Sequence, residues 1–268
     1  MPISVEHQWK VAAVAVKGFS HRKSDTPCQD YCLAHSARNF TILALSDGAG
    51  SCKLSHIGSK AACLGFIRGA KTLLRPYQND PEALGKFLSE STEGSWFSVL
   101  DCAAQFVVAA AEKRNVNPEE SMACTLLGAI IGRSCAIVIQ VGDGAWVAET
   151  ESSGFHPVTW PEHGQYVNQT YFITHAGYSE HLQFAIIPND GLLRSLFGFS
   201  DGIERLCLDL STKEAVDGFF RPLRSLFERQ SKIEFEKGFS RFLNSERVTS
   251  LTDDDTSIII ASRVCNLL

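Results

Sequence analysis

The sequence predicts an α+β fold in which antiparallel β-sheets are covered by helices. Short runs rich in Val, Ile and Ala follow one another and are interrupted by pairs of amphipathic helices, whereas a parallel sheet requires regular βαβα alternation. The 268 residues, 44% of them hydrophobic, are enough for one packed core, and no repeat or long linker divides them. We therefore expect residues 1–268 to form a single domain, with a loop or flap at 149–169, where periodicity is weak.

The apolar pattern places each element in chain order. Strand-like runs are short and bounded by turn residues, and Gly132 to Ser134 favour a hairpin between two of them. Helices are predicted where apolar residues such as Ile57, Ala61 and Leu64 recur at steps of three and four. The predicted strands are 9–17, 40–46, 122–131, 135–141, 171–174, 182–187, 193–200 and 257–262, and the predicted helices are 54–74, 96–114, 213–229 and 232–243.

Composition and charge exclude several classes of protein. Thirty acidic residues against 25 basic ones give a net charge of −5, and without a dense basic block we expect no binding to nucleic acid. The nine cysteines contain no Cys-x-x-Cys pair, which argues against a zinc finger or a redox dithiol. The early apolar stretch from Val11 to Val16 is too short to span a membrane, and no signal peptide is visible. We expect a cytoplasmic protein without membrane association.

Acidic residues recur at the ends of predicted strands. Asp-Gly is a favoured turn pair, so Asp190-Gly191 is most simply a hairpin turn, and Asp217-Gly218 falls in a helical pattern. The other three dipeptides end buried-looking strands, where a carboxylate and the carbonyl of the following glycine can approach one divalent cation. They are Asp47-Gly48, Asp143-Gly144 and Asp201-Gly202, and the run Asp253-Asp254-Asp255 precedes the last strand.

An all-oxygen site of this kind favours Mg²⁺ or Mn²⁺ over zinc, because His and Cys are absent from these motifs. Two such ions about 3.5–4 Å apart would clamp a phosphoryl oxygen and lower the pKa of a bridging water. That water would be the nucleophile, and the chain has no Gly-x-Ser-x-Gly elbow or Walker loop. The residues therefore predict hydrolysis of phosphoesters.

Six segments in order resemble the motifs of the metal-dependent serine/threonine protein phosphatases of the PP2C type, in their bacterial form. They are Gln29-Asp30, Ser46-Asp47-Gly48-Ala49-Gly50, Ala123-Cys124-Thr125-Leu126, Gly142-Asp143-Gly144-Ala145, Ser200-Asp201-Gly202-Ile203 and Asp254-Asp255-Thr256-Ser257-Ile258. The resemblance spans most of the chain. It implies a four-layer αββα sandwich of two antiparallel sheets flanked by helices.

The resemblance also implies roles for individual residues. Asp47 would bridge two Mg²⁺ or Mn²⁺ ions, and Gly48 would offer its carbonyl to one of them. Asp201 and Asp254 would complete the other ion, and Asp143 would serve a third, weaker ion together with Asp201. Asp47 and Asp201 are thus the candidate catalytic residues.

The ligand within the run of three acids depends on the alignment. Placing Ser257 opposite the family's Ser/Thr makes Asp254 the ligand and leaves the apolar Ile258 next, as a strand entering a core requires. Placing Thr256 there instead would move the ligand to Asp253. We predict Asp254.

Two positions beside the acids depart from the family pattern. Asp30 would hold a metal-bound water, but its neighbour Gln29 stands where the family often has Glu. Ala49 stands in place of a His that is a proposed general acid, so the group that protonates the leaving oxygen is unassigned.

The phosphate-binding arginine of the family is a third departure, because Asp25 stands at its position. His21, Arg22 or Lys23 of the same loop could supply the positive charge. Arg22 is the candidate, since a guanidinium group binds phosphate through two hydrogen bonds. The alternative is a solvated basic loop.

The sequence therefore predicts a phosphatase that hydrolyses phosphoserine and phosphothreonine on proteins by attack of a metal-activated water. Its expected partners are a phosphorylated protein substrate and a cognate Ser/Thr kinase. The alternative is a catalytically weak or inactive PP2C-like regulatory module that binds phosphoprotein or metal, and the three departures favour it. The retained acids favour the enzyme, because carboxylates that repel one another are costly unless cations bind them.

Overall fold

The computed structural model describes residues 9–162, 170–189 and 192–263. The strands are β1 (Trp9–Val16), β2 (Tyr31–Ser36), β3 (Thr41–Ser46), β4 (Leu126–Ile131), β5 (Cys135–Val141), β6 (Ala145–Thr150), β7 (Gly154–Pro157), β8 (Gln183–Pro188), β9 (Leu193–Phe199), β10 (Leu208–Asp209), β11 (Glu214–Ala215) and β12 (Thr256–Arg263). The helices are α1 (Phe19–Lys23), α2 (Ser55–Leu74), α3 (Pro81–Ser89), α4 (Phe97–Glu112), α5 (Pro118–Ser121), α6 (Glu204–Cys207), α7 (Asp217–Arg229), α8 (Lys232–Leu243) and α9 (Glu246–Thr249).

Most of these strands form two antiparallel sheets that pack face to face. In the described parts of the chain the first sheet has the order β1-β12-β9-β6-β7 and the second has the order β2-β3-β4-β5-β8. Helices α7 and α8 cover the outer face of the first sheet, and α2 and α4 cover the outer face of the second. The predicted αββα sandwich is confirmed.

The burial of β3 explains why the strands read as continuous apolar runs. Ile42 and Ala44 pack against the helical layer, whereas Leu43 and Leu45 pack against the opposite sheet, and all four are fully buried. Strand β12 repeats this division between helices and sheet. A strand buried on both faces needs apolar residues at successive positions, and each buried Leu or Ile contributes about 1.5–3 kcal/mol.

One helical stretch among the described residues, Glu93–Glu112, is long and apolar enough to cross a membrane by length and composition. Val99, Ala103 and Val107 of this stretch are fully buried in the core that α2 and the second sheet share. The two helices lie so close that a Cβ at Gly65 would be 2.7 Å from the Cα of Ala103. One face of this stretch therefore packs against α2, and the rest is less buried.

The structure adds elements that the apolar pattern did not predict. Strand β2 is a half-buried edge strand, so its apolar signal is weak. Strands β6 and β7 form a hairpin inside and beside the segment 149–169, which was predicted to be a loop or flap. Residues 163–169 of that segment lie outside the described residues.

Two local predictions fail and one holds. Residues 171–174 form no strand: Ile173 donates a single backbone hydrogen bond to Cys124 before the chain turns. The dipeptide Asp190-Gly191 lies outside the described residues, but the flanking strands β8 and β9 belong to different sheets, so they do not form the predicted hairpin. The hairpin between β4 and β5 is confirmed.

Candidate metal and active site

The five acids singled out in the sequence lie at one end of the sandwich. Asp47 follows β3 and Asp30 precedes β2, and the last residue of β3 pairs with the first of β2. Asp201 follows β9 and Asp254 lies just before β12, and these two strands pair in the first sheet. Asp143 lies in the connection from β5 in the second sheet to β6 in the first. The strand register thus brings together acids from distant parts of the chain.

The turn that carries Asp47 is held at both sides. The hydroxyl of Thr125 accepts a hydrogen bond from the Asp47 N–H at 3.0 Å, and the Thr125 N–H donates to the Asp47 carbonyl at 2.8 Å. A Cβ at Gly48 would lie 2.7 Å from the Cβ of Ser55 at the start of α2, so only glycine fits there. These contacts fix the direction of the Asp47 side chain.

Asp30 links the two sheets. Its Oδ2 accepts a hydrogen bond from the Ser200 hydroxyl at 2.7 Å, and the same hydroxyl accepts the Ser257 N–H at 3.1 Å. Within the described chain, Oδ1 of this buried carboxyl group has no hydrogen-bond donor. Burial raises the pKa of Asp30 to about 6, although the adjacent carboxyl group of Asp47 and the hydroxyls of Ser257 and Ser200 oppose the shift.

The neighbouring acids repel one another. Burial and the charges of Asp30 and Asp201 raise the pKa of Asp47. Burial and the charge of Asp143 raise the pKa of Asp201 to about 8, and burial also raises the pKa of Asp254. Buried like charges are stable only when protons or cations neutralise them. The electrostatics of this end of the sandwich therefore favour a bound cation.

The donor set fits a hydrated ion. Across the described ranges, no Lys or Arg forms an ion pair with Asp30, Asp47 or Asp201, and Oδ1 of Asp201 has no donor. No three Asp, Glu, His or Cys side chains in those ranges converge closely enough to enclose an ion by themselves. Mg²⁺ characteristically takes one or two carboxylates and keeps several waters. The residues fit Mg²⁺ or Mn²⁺ and do not fit a closed zinc cage.

Asp255 is a structural residue of the three-acid run. It is 2% exposed, and its Oδ1 accepts the Gly18 N–H at 2.6 Å. Its Oδ2 accepts the Gln29 N–H and lies 2.9 Å from Nδ1 of His21. These contacts tie the start of β12 to the loop that precedes β2.

The other two acids of the run are both exposed and differ in their contacts. Asp253 is exposed, and its carbonyl accepts the Ser20 N–H at 3.0 Å. Oδ1 of Asp254 accepts the Asp255 N–H at 2.7 Å, and the Asp254 charge is close enough to the acid cluster to contribute to the raised pKa of Asp201. This arrangement supports Asp254 as the ligand, which stays a prediction.

Arg22 makes local contacts in this structure. Its guanidinium group is exposed and donates to the Lys17 carbonyl, at 2.8 Å from Nε, and to Oδ1 of Asn244. Asp25, at the family's arginine position, is exposed and has a positive φ of 55°. Arg22 would have to exchange its partners to bind phosphate, and that role stays a prediction.

Two further positions define what the site lacks. Gln29 is buried and donates from Nε2 to the Cys52 carbonyl at 3.2 Å, while its Oε1 has no donor in the described part of the chain. Ala49 is half-buried, and its N–H donates to the Ala123 carbonyl at 2.9 Å. Neither side chain can supply a proton donor with an acidic pKa.

Sequence reasoning missed two polar residues around Asp143. Gln140 is fully buried, and its Nε2 donates to the carbonyls of Gly142 and Gly144 at 3.1 and 2.6 Å. Thr170 donates from its hydroxyl to Oδ2 of Asp143. The signal for Gln140 was its position as the one amide in the apolar run of β5. No local pattern marks Thr170.

Relatives of this chain are phosphatases by name. It is 26% identical to "Serine/threonine-protein phosphatase 3" of Escherichia coli strain K12, over 94% of this chain and 98% of that protein. A bacterial serine phosphatase structure superposes with a TM-score of 0.64 at 15% identity, over 97% of this chain and 100% of that one. Staphylococcus aureus Stp1 gives 0.60 at 13% identity, over 98% of both chains. Mycobacterium tuberculosis PstP/Ppp gives 0.60 at 12%, over 96% and 99%.

At these identities the solved structures show only that the fold is shared. The family is identified by the match of the sequence to a family model. Residues 17–244 match the model of the protein phosphatase 2C family. This range includes four of the five acids and most of both sheets. Members of the family are generally metal-dependent. The chain therefore belongs to the protein phosphatase 2C family, and it is a protein phosphatase.

Proposed function

We propose that the protein removes phosphate from phosphoserine and phosphothreonine in proteins, using Mg²⁺ or Mn²⁺. The observation that carries the proposal is the meeting of buried and half-buried acids from both sheets at one end of the sandwich, with raised pKa values and two oxygens to which the described residues direct no donor. The name of the Escherichia coli relative supports the substrate class.

The proposed ligands follow from their positions. Asp47, the Gly48 carbonyl, Asp201 and Asp254 would hold two ions at this end of the sandwich. Asp143 would hold a third, weaker ion together with Asp201. A bound cation would supply Lewis acidity, because it withdraws charge from a phosphoryl oxygen and lowers the pKa of a water.

The remaining steps belong to side chains. Asp30 is fixed by the Ser200 hydroxyl and would accept a hydrogen bond from the attacking water, which orients the water. Arg22, once released from Asn244, would bind the phosphate. The substrate would be a phosphoprotein supplied by a cognate Ser/Thr kinase in the cytoplasm. The eight described cysteines support that location, since all are free thiols.

Phosphate release tests the proposal. Wild-type protein with Mn²⁺ is expected to hydrolyse p-nitrophenyl phosphate and a phosphothreonine peptide. Asp47→Asn and Asp201→Asn are each expected to reduce kcat/KM by at least about a hundredfold, because several kcal/mol of charge stabilisation is lost. Asp217→Asn is the matched control: it changes another Asp-Gly dipeptide, but on the exposed first turn of α7. Wild-type protein without activity, or full activity in both site variants, would contradict the proposal.

The same assay tests the alternative of an inactive regulatory module. That reading drew on Gln29, Ala49 and Asp25. The acids that favour an active enzyme lie together at one end of the fold, and no contact of the described residues favours loss of turnover. A protein that binds Mn²⁺ and phosphopeptide but releases no phosphate would be such a module.

A further inference from the structure

The turn that carries Asp143 is held by a buried amide. Gln140 is fully buried, and an amide group without partners would be costly there. Its Nε2 donates to the carbonyls of Gly142 and Gly144, which flank Asp143 on both sides, at 3.1 and 2.6 Å. Gly142 has a φ of +117°, a conformation that other residues rarely adopt. Gln140 therefore holds the backbone of a turn that needs glycine at position 142.

The same amide extends to the segment that follows β7. Its Nε2 also lies 3.1 Å from the Trp160 carbonyl, and its Oε1 accepts the Thr159 hydroxyl at 2.5 Å. The Glu162 N–H in turn donates to the Gly142 carbonyl at 3.3 Å. One side chain thus joins the Asp143 turn to the chain that leaves the first sheet.

The carboxylate of Asp143 is held from another direction. The Thr170 hydroxyl donates to its Oδ2, and Asp143 is only 9% exposed. The neighbouring Tyr171 stacks on His181 with ring centroids 3.2 Å apart, and Nδ1 of His181 lies 3.1 Å from Oε1 of Glu162. Because Glu162 is also bonded to Gly142, these contacts hold Tyr171, and with it Thr170, beside the Asp143 turn.

We propose that Gln140 and Thr170 are positioning residues that set the backbone and the carboxylate of Asp143 for metal binding. The inference rests on the proposed function, because it takes Asp143 as a metal ligand. Groups that orient a ligand typically change metal affinity by 10–100-fold when they are removed. Thr170→Val keeps the shape of the side chain and removes the donor.

Binding of Mn²⁺ alone, followed by electron paramagnetic resonance of the free ion, measures this effect without turnover. Thr170→Val is expected to weaken Mn²⁺ binding at the Asp143 site about tenfold or more and to raise the Mn²⁺ concentration that half-activates the enzyme. KM for p-nitrophenyl phosphate at saturating Mn²⁺ is expected to change less than twofold. Thr170→Ser restores the donor and is expected to restore the affinity.

Gln140→Glu and Gln140→Met separate position from packing. Each keeps nearly the size of the side chain. Gln140→Met removes the donor to the two carbonyls, and Gln140→Glu leaves at most one O–H donor, so we expect Mn²⁺ binding to weaken in both and more in Gln140→Met. If neither folds, the Thr170 pair decides. Thr72→Val is the matched control, since Thr72 is exposed and donates only within α2.

The inference fails if Thr170→Val binds Mn²⁺ as wild type does, or if it only lowers the melting temperature in EDTA. It also fails if Thr170→Ser is as weak as Thr170→Val. These outcomes differ from failure of the proposed function, in which wild-type protein itself would show no Mn²⁺-dependent hydrolysis.

Discussion

The three consecutive acids before β12 are expected to respond differently to the same substitution. Asp255 is buried and receives backbone N–H groups from Gly18 and Gln29. Asp255→Ala would leave both N–H groups buried without an acceptor. Asp253 is exposed, so Asp253→Ala removes no such acceptor.

The magnitude follows from the hydrogen bonds. A hydrogen bond to a charged acceptor contributes about 1.5–3 kcal/mol, so loss of two costs about 3–6 kcal/mol. Asp255→Asn keeps one acceptor oxygen and is expected to cost about half as much. Asp253→Ala should stay within about 0.5 kcal/mol of wild type. With a urea m-value of about 3 kcal/mol/M, Asp255→Ala would lower the midpoint by about 1–2 M.

Urea unfolding in EDTA, followed by tryptophan fluorescence and circular dichroism, measures these differences without metal. Mn²⁺ binding is measured on the same proteins, because Asp254→Asn should weaken binding while its midpoint in EDTA stays near that of wild type. If Asp255→Ala and Asp253→Ala had the same midpoint, the structural role of Asp255 would be wrong. If Asp253→Asn instead of Asp254→Asn lost Mn²⁺ affinity, the ligand would be Asp253.

Three other predictions concern stability and substrate binding. In EDTA the free energy of unfolding should fall as pH rises from about 4 to about 8, since the buried acids keep protons that the unfolded chain releases; a melting temperature constant or rising over that range would contradict this. Gly58→Ala should lower the free energy of unfolding by about 1–3 kcal/mol or more, because its Cβ would lie 2.1 Å from the Met122 carbonyl oxygen. Gly238→Ala has open space in α8 and should raise the free energy of unfolding by about 0.5–1 kcal/mol. Equal urea midpoints for the two variants would refute this difference. Arg22→Met should raise KM for a phosphopeptide, and Asn244→Ala, which releases the guanidinium group, should not. If KM were unchanged in both variants, Arg22 would not bind the phosphate and would only hold α1 at the surface.

The layers of the fold could be predicted because the amino-acid composition of these strands reflects how deeply they are buried. Strands buried on both faces, such as β3 and β12, are continuous apolar runs, and α2 and α8 show helical periodicity. Each of these elements was located within two residues. Half-buried β2 and the short β7 have mixed composition, so neither gave a signal.

The candidate site could be predicted only where residues repeat a local pattern. Asp47, Asp143 and Asp201 each follow a strand and precede glycine, which is visible without tertiary information. The hydroxyl of Ser200 acts through Asp30, which is far away in the chain, and such a pair depends on strand register, which a single sequence does not display. The amide of Gln140 bonds to the nearby Gly142 and Gly144, but only the folded turn brings their carbonyls to it.

The meeting of acids from both sheets gives bound ions a mechanical consequence. At the opposite end, Arg263 of β12 donates to the Asn189 carbonyl at 3.2 Å, so the first sheet is tied there to the chain leaving the second by permanent hydrogen bonds. At the acidic end, the hydrogen bond from Ser200 to Asp30 also joins the sheets, and bound ions would add a second tie that is ionic and removable. Ions held there would act as a reversible cross-link between segments from opposite ends of the chain, and after their release the carboxyl groups would repel one another unless they took up protons. The cofactor would then stabilise this end of the sandwich as well as take part in the reaction.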